Sequence, residues 1–144
     1  MSVIDEQNKI VKEFSELIEW EDKYSLLIKM GKELGVFDPE IKIDKNKISG
    51  CQSQVWMHAK LENGKMQIVG DSDAMIVKGL VALLISVYSN QKPEDILSSP
   101  PKFLSEIGID KHLSPTRKNG LGAMLKQIQL FALAFKTITS KHEN

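Results

Sequence analysis

The sequence has one cysteine, one arginine and no net charge. Cys51 is the only cysteine among 144 residues, so no disulfide can form within the chain. A zinc site would need Cys51 and all three histidines at irregular spacing, so a structural zinc site is a poor fit. The 19 cationic and 19 anionic side chains cancel, so no overall field attracts the chain to nucleic acid or to an anionic membrane.

The sequence also lacks the features of a targeting signal and of a membrane span. Residues 1–7 carry two acids where a signal peptide has its basic region, and no apolar core region follows. The most apolar run, residues 74–88, is shorter than the roughly 20 residues that cross a bilayer. These observations predict a cytoplasmic protein. The length and the 42% hydrophobic content fit one domain, residues 1–144, with one core.

The first 35 residues predict two amphipathic helices. Ser2 is a candidate N-cap for the first, whose apolar residues recur at helical spacing as far as Ile18. The second helix begins after Glu19 and ends where Gly35 can serve as the C′ residue. We expect the apolar stripes of both helices to face the core.

A β-hairpin follows. Residues 54–61 alternate between apolar and polar, and Asn63-Gly64 is typical of a type I′ turn. Pairing outward from this turn aligns Glu62 with Lys65, Leu61 with Met66, and Ala59 with Ile68. The apolar residues then share one face, so the register is self-consistent. Residues 40–49 fit either a short edge strand or an ordered loop.

Two longer helices are predicted in the second half. Residues 71–73 are candidate caps for an almost wholly apolar helix over 74–88, in which Gly79 predicts a close crossing by another element. Ser114 as N-cap and Pro115 as first residue start the last helix. Its apolar stripe runs as far as Ile138. Arg117, the sole arginine, falls in its first turn.

Cys51 is the candidate reactive residue. Gly50 lets the backbone before it adopt a positive φ or approach another chain closely, so the thiol can lie on a tight loop. The alternative is that an isolated cysteine is a small buried hydrophobic residue.

Four blocks of sequence resemble the SufE-like sulfur-acceptor family. The heptapeptide Gly-Cys-Gln-Ser-Gln-Val-Trp at residues 50–56 resembles the cysteine loop of that family. The other blocks are Trp-Glu-Asp-Lys-Tyr at 20–24, Asp-Ser-Asp-Ala followed by Ile-Val-Lys-Gly-Leu at 71–80, and His-Leu-Ser-Pro-Thr-Arg-Lys-Asn-Gly-Leu at 112–121. They occur in the family's order and cover nearly the whole chain.

The resemblance implies a fold and a set of site residues. The expected fold is α+β, a small antiparallel sheet of two to three strands packed by helices from both chain ends, similar to the scaffold proteins of cluster assembly. Cys51 would carry the persulfide. The residues expected to bind the partner or support the loop are Gly50, Gln52, Asp73, His112 and Arg117. We further expect Cys51 to be sheltered in the free protein by Met57, Leu61 and the start of the helix at Ala74.

The resemblance also implies the partners. A SufS-like cysteine desulfurase would supply sulfur and be stimulated, and a cluster scaffold complex would receive it for iron–sulfur cluster assembly. Pyridoxal phosphate is expected on the desulfurase, and no cofactor, nucleic acid or membrane is expected for this chain, which would be a monomer or weak homodimer.

Three alternatives remain open. A paralogous carrier would serve a different desulfurase and acceptor. A cysteine hydrolase would use Cys51, His112 and Asn119 as nucleophile, base and orienting amide. In a pure interaction module, Cys51 would be structural.

Overall fold

The chain opens with two helices, as the apolar spacing predicts. The computed structural model describes residues 2–35 and 38–143, with side chains as far as residue 138. Helix α1 (Val3–Ser15) begins with a capping box, in which the Ser2 hydroxyl and the Asp5 carboxylate each accept a hydrogen bond from the other's backbone N–H. The predicted stripe of α1 extends too far, because the helix ends at Ser15 and Ile18 is 90% exposed.

Helix α2 (Trp20–Glu33) has Leu34 as its C-cap, and Gly35 follows as the C′ residue. The φ of Gly35 is 82°, the left-handed conformation expected of a C′ glycine. The segment that follows is an ordered loop in its described part, so the edge-strand alternative for residues 40–49 is wrong. It contains a short 3-10 helix (Asp44–Asn46) and one β-bridge, between Lys47 and Trp56. A single bridge is too short to extend the sheet.

The sheet is the predicted hairpin. Strands β1 (Val55–Glu62) and β2 (Lys65–Ser72) pair antiparallel, and Glu62–Lys65, Leu61–Met66 and Ala59–Ile68 are all partners, as predicted. Asn63 and Gly64 have φ values of 53° and 79°, and a type I′ turn requires positive φ at both positions.

Helix α3 (Met75–Tyr88) lies at the centre of the core. Nine of its residues are buried: Val77, Gly79, Leu80, Val81, Ala82, Leu83, Leu84, Val87 and Tyr88. The close crossing predicted at Gly79 is confirmed, because a Cβ there would overlap the Leu27 carbonyl of α2, and a Cβ on Gly31 would lie 2.9 Å from the Gly79 nitrogen. Two glycines therefore let α2 and α3 pack backbone to backbone.

The start of α3 differs from the prediction. Ala74 is the N-cap residue and no side chain caps the helix through a hydrogen bond. Asp73 instead accepts a hydrogen bond from the Gln54 N–H, and Asp71 pairs with two lysines. The Asp71 and Asp73 carboxylates, which were candidate caps of α3, thus bind groups of neighbouring segments.

Four helices complete the chain: α4 (Pro93–Ser98), α5 (Phe103–Glu106), α6 (Ile109–His112) and α7 (Pro115–Glu143). The short α6 was not predicted. Ser114 caps α7 as expected, accepting a hydrogen bond from the Arg117 N–H, but Ile138 is 47% exposed, so the buried stripe ends earlier. With seven helices and a two-stranded sheet in the described residues, the α+β prediction is confirmed. None of these helices, within the described chain, is both long and apolar enough to cross a bilayer.

Candidate functional site

Cys51 lies on the loop between the Lys47 bridge and β1. Gly50 has a φ of 91°, a backbone conformation that side chains with a Cβ rarely adopt. A Cβ on Gly50 would also lie 3.5 Å from the Ala123 side chain, so the loop passes close to α7 at this point. Gly50 therefore turns the chain so that Cys51 meets α7.

The sulfur of Cys51 is half-buried against Gly120 of α7. Its thiol donates a weak hydrogen bond to the Gly120 carbonyl, with Sγ 3.7 Å from the oxygen. A Cβ on Gly120 would lie 3.6 Å from Sγ, so the glycine leaves space beside the sulfur. Burial raises the pKa of the Cys51 thiol, because the thiolate is the charged form and loses solvation. The free protein therefore favours the protonated thiol at neutral pH.

A cavity of about 370 Å³ opens beside Cys51. Its described lining residues are Cys51, Gln52, Ser53, Ala74, Val77, Leu80, Ser114, Thr116, Arg117, Gly120 and Met124. Val77, Leu80 and Met124 are buried and apolar, whereas Gln52 and Arg117 are exposed. The cavity thus combines an apolar wall with a polar rim that includes the only cation among its described lining residues.

Asp73 anchors the downstream end of the cysteine loop. Its carboxylate accepts a hydrogen bond from the Gln54 N–H at 3.0 Å, and its own N–H donates to the Gln54 carbonyl at 3.3 Å. The two bonds tie the loop to the chain just before α3. Asp73 is not among the described residues that line the cavity, so its position suits loop support.

Asp71 anchors the upstream side of the loop. Its carboxylate is 8% exposed and lies 3.0 Å from the Lys42 ammonium and 3.3 Å from that of Lys78. The Lys42 ammonium also lies over the Trp56 ring, 4.9 Å from its centre. This network holds the segment that leads into Cys51 against β1 and α3.

His112 lies apart from the cavity lining. Its ring stacks on Trp20, with centroids 4.0 Å apart, and its carbonyl accepts a hydrogen bond from the Tyr24 hydroxyl. Neither His112 nor Asn119 is among the described residues that line the cavity. The structure thus provides no support for a hydrolase that would use these two residues with Cys51.

Two expected neighbours of Cys51 are also elsewhere. Met57 and Leu61 are not among the described lining residues, and Met57 lines a different groove, beside Phe131 of α7. Ala74, at the start of α3, does line the cavity beside Cys51. Strand alternation correctly places Met57 on the buried face of the sheet, where it is 1% exposed, but it is not among the described residues that line the cavity beside Cys51.

The described residues contain no group of three or more His, Cys, Asp and Glu side chains arranged to hold a metal ion. The polar side chains among the described residues that line this cavity are the Cys51 thiol, the Arg117 cation, the Gln52 amide and three hydroxyls, those of Ser53, Ser114 and Thr116.

Comparison with protein families gives a match to the family described as "SufE: Fe-S metabolism associated domain", over residues 8–132. The chain belongs to the SufE family. This match confirms the resemblance drawn from the four sequence blocks, all of which lie within the matched residues. It associates the protein with iron–sulfur metabolism.

A solved structure has the same fold as this SufE-family chain. The solution structure of a hypothetical protein from Thermus thermophilus aligns with a TM-score of 0.77, covering 92% of this chain and 96% of that one. The two sequences are 24% identical. At that identity the likeness concerns the fold alone.

Sequence reasoning missed most of the cavity wall of this SufE-family protein. Val77 follows Ala74 by three residues at the start of α3, and Met124 follows Gly120 by four on α7, so each pair shares a helix face. That spacing was visible in the sequence. Which helix faces meet the cysteine loop depends on long-range packing, which spacing alone does not specify.

Proposed function

We propose that the protein is a sulfur acceptor and carrier that takes persulfide sulfur from a cysteine desulfurase onto Cys51 and stimulates that desulfurase. It then passes the sulfur to a cluster scaffold complex for iron–sulfur cluster assembly. The observation that supports this most is the position of the chain's only thiol, on a loop beside a cavity with a cationic rim. Membership of the SufE family agrees with it.

The transfer step needs no added oxidant. The Cys51 thiolate attacks the terminal sulfur of the donor's persulfide, a new S–S bond forms, the donor's S–S bond breaks, and the donor leaves as a thiolate. Cys51 then carries –S–SH. Attack on that outer sulfur by an acceptor thiolate returns Cys51 to the thiolate, so the sulfane sulfur moves without net oxidation.

In the free protein, the surroundings of Cys51 suit storage of a persulfide better than attack by the thiol on a donor's persulfide. Burial raises the pKa of Cys51, and the thiolate is the nucleophile. Attack therefore requires the sulfur to leave its contact with Gly120 and meet a cation or water. We propose that docking of the desulfurase moves the loop outward, and that Arg117 then stabilises the thiolate or pairs with a carboxylate of the partner.

The docking surface is proposed to surround the mouth of the cavity. Gln52 and Arg117 are exposed on its rim, and Met75, next to the lining residue Ala74, is 62% exposed. An exposed methionine among polar residues suits a partner contact. Pyridoxal phosphate is proposed to reside on the desulfurase, and both proteins to act in the cytoplasm.

Mass spectrometry after incubation with a cysteine desulfurase and free cysteine tests this function. The peptide that carries Cys51 should gain about 32 Da, the mass of one sulfur atom, and a reductant should remove it. Cys51→Ser should still bind the desulfurase but accept no sulfur, because one atom changes little of a docking surface. Sulfur found only on other residues would refute the proposal. Pull-down with identification of the bound desulfurase separates the carrier from a paralogue that serves another enzyme.

A further inference from the structure

A groove of about 270 Å³ lies between β1 and α7. Its described lining residues are Lys45, Asn46, Lys47, Met57, His58, Ala59, Gln127, Phe131 and Phe135. Three segments therefore form it: the 3-10 helix with the residue that follows it, β1, and α7. No described residue lines both this groove and the cysteine cavity, so an inference drawn from the groove goes beyond the sulfur-carrier proposal.

The floor of the groove is apolar and closed. Met57 and Ala59 are only 1% and 8% exposed. Residues 47 and 48 cover the outer edge of β1 here, through the Lys47–Trp56 bridge and a hydrogen bond to the Val55 carbonyl, so a partner strand cannot add to it. The space suits a small molecule, since its volume lies just below the range of about 300–1,000 Å³ that is usual for ligand pockets.

One wall of the groove is aromatic. Phe131 and Phe135 are four residues apart on α7, so their side chains lie on the same face of the helix. Both residues are half-buried, so part of each side chain remains open to solvent. Two neighbouring rings of this kind suit a flat apolar group, which would leave water by stacking on them.

Another wall carries two cations. Lys45 and Lys47 are exposed, and neither forms an ion pair within the described chain. No aspartate or glutamate is among the described residues that line the groove. The chain as a whole has no net charge, so the positive charge beside the aromatic wall is a local excess, and it favours a ligand with a negative group.

We propose that this groove binds a small aromatic anion, a flat ring that carries one carboxylate or phosphate group. The ring packs on Phe131 and Phe135 above the apolar floor, and the anionic group lies near Lys45 and Lys47. Lysine binds an anion as a compact point charge and imposes no fixed fork geometry, so either anionic group fits.

Nuclear magnetic resonance titration of the ¹⁵N-labelled full chain tests the site. The probes are 2-naphthoate and 2-naphthyl phosphate. Two control compounds separate the ring from the charge, because 2-naphthamide keeps the ring without the charge and inorganic phosphate keeps the charge without the ring. At least one probe should shift the amide signals of Lys47, Phe131 and Phe135 with a Kd of about 1 mM or lower. Both controls should bind about tenfold more weakly, and the tighter probe identifies the preferred anionic group.

Removal of charge supplies the first matched variants. Lys45→Gln/Lys47→Gln should weaken binding of the tighter probe by about threefold or more and leave binding of 2-naphthamide unchanged. The control Lys9→Gln/Lys102→Gln makes the same change in net charge at exposed positions that are not among the described lining residues, and it should bind as wild type does.

Removal of a ring supplies the second pair. Phe135→Leu keeps an apolar side chain and should weaken binding of the tighter probe and of 2-naphthamide by about threefold or more. Leu133→Ala, at a 53% exposed position of the same helix, should bind as wild type does. Unshifted signals at the three groove amides, equal binding of probe and controls, or equal effects of a variant and its matched control would overturn the proposal. Shifts only at Arg117 and Gly120 would place the probe in the cysteine cavity and also overturn it.

Discussion

The sulfur of Cys51 lies 3.7 Å from the carbonyl oxygen of Gly120, so the cysteine loop meets helix α7 at a residue without a side chain. A Cβ on Gly120 would lie 3.6 Å from that sulfur, an ordinary contact that requires no movement. Two residues further on, a Cβ on Gly122 would have nothing within 4 Å. Gly120 and Gly122 are therefore a matched pair of positions for substitution, because they lie on one helix and only the first is beside the sulfur.

Gly120→Ala should slow the reactions of Cys51, and Gly122→Ala should not. Each change should raise helix stability by about 0.5–1 kcal/mol, because alanine loses less backbone entropy than glycine. Only the methyl group at 120 would occupy the space beside Sγ that a second sulfur or an alkylating reagent needs. We expect alkylation by iodoacetamide to slow about three- to tenfold for Gly120→Ala, as about 1 kcal/mol in the barrier would cause. Equal rates for the two variants would contradict the proposed use of this space.

The reactivity of Cys51 should depend on pH in a way that burial explains. Because its pKa is raised, iodoacetamide should label the free protein more slowly than an unfolded cysteine peptide at neutral pH. The midpoint of the rate's increase with pH should lie above the peptide value of about 8.5. A midpoint at or below the peptide value would mean that the sulfur is not sheltered.

The same shift has a consequence for stability. Below the unfolded-state pKa, the thiol is protonated in both states and the fold has its full stability. As the pH rises from the unfolded pKa through the folded pKa, the thiol of the unfolded chain ionises first, so the unfolding free energy falls. The unfolding free energy of wild type minus that of Cys51→Ala, both measured with urea, should therefore decrease above about pH 8.5.

Arg117→Lys should impair stimulation of the desulfurase while leaving the fold intact. Arg117 is exposed on the cavity rim in the first turn of α7, where the helix dipole gives a cation no benefit. Lysine keeps the charge but lacks the planar guanidinium, so a role in pairing with a carboxylate predicts a clear loss of stimulation. Unfolding free energy should change by less than about 0.5 kcal/mol. If Arg117→Lys and Arg117→Ala both stimulate as wild type does, Arg117 is a solvated surface residue.

Asp71→Asn should destabilise the protein by about 1–3 kcal/mol at pH 7, because Lys42 and Lys78 lose a nearly buried carboxylate. Burial alone would raise the pKa of Asp71, but hydrogen bonds from Lys42, the Ser72 N–H and Lys78 outweigh it and hold the pKa below its ordinary value. A lowered pKa stabilises the fold above the unfolded pKa, and that contribution is lost as the pH falls through the folded one. The difference from wild type, measured by urea unfolding, should therefore shrink below about pH 4.

Glu62→Gln is the control for this network. The Lys60–Glu62 pair is 3.7 Å long and both side chains are more than half exposed, so its loss should change stability by less than about 0.5 kcal/mol. An equal effect of Asp71→Asn and Glu62→Gln would show that the Asp71 network is no stronger than a surface pair.

Features encoded by neighbouring residues were predicted well. The hairpin register follows from Asn63-Gly64 and strand alternation, and the start of α7 follows from Ser114 and Pro115. Gly79 indicated a close crossing, although only the structure showed that Leu27 of α2 lies there. The cap of α3 was predicted wrongly because an aspartate can accept a hydrogen bond from any nearby N–H, and the sheet brings that of Gln54 to Asp73.

The sequence alone indicated the SufE family and the residue that carries the proposed chemistry, because the motifs that carry the resemblance are local. The α+β class followed from that resemblance, whereas turn residues and apolar periods located the hairpin and the longer helices. Tertiary structure alone decided what surrounds that residue. Val77 of α3 and Met124 of α7, both distant from Cys51 in the sequence, line the same cavity only after the helices pack around α3. The same packing brought His112 onto Trp20 and placed Gly120 beside the sulfur. Contacts between distant segments depend on how whole helix faces fit together, and no short stretch of sequence specifies that fit.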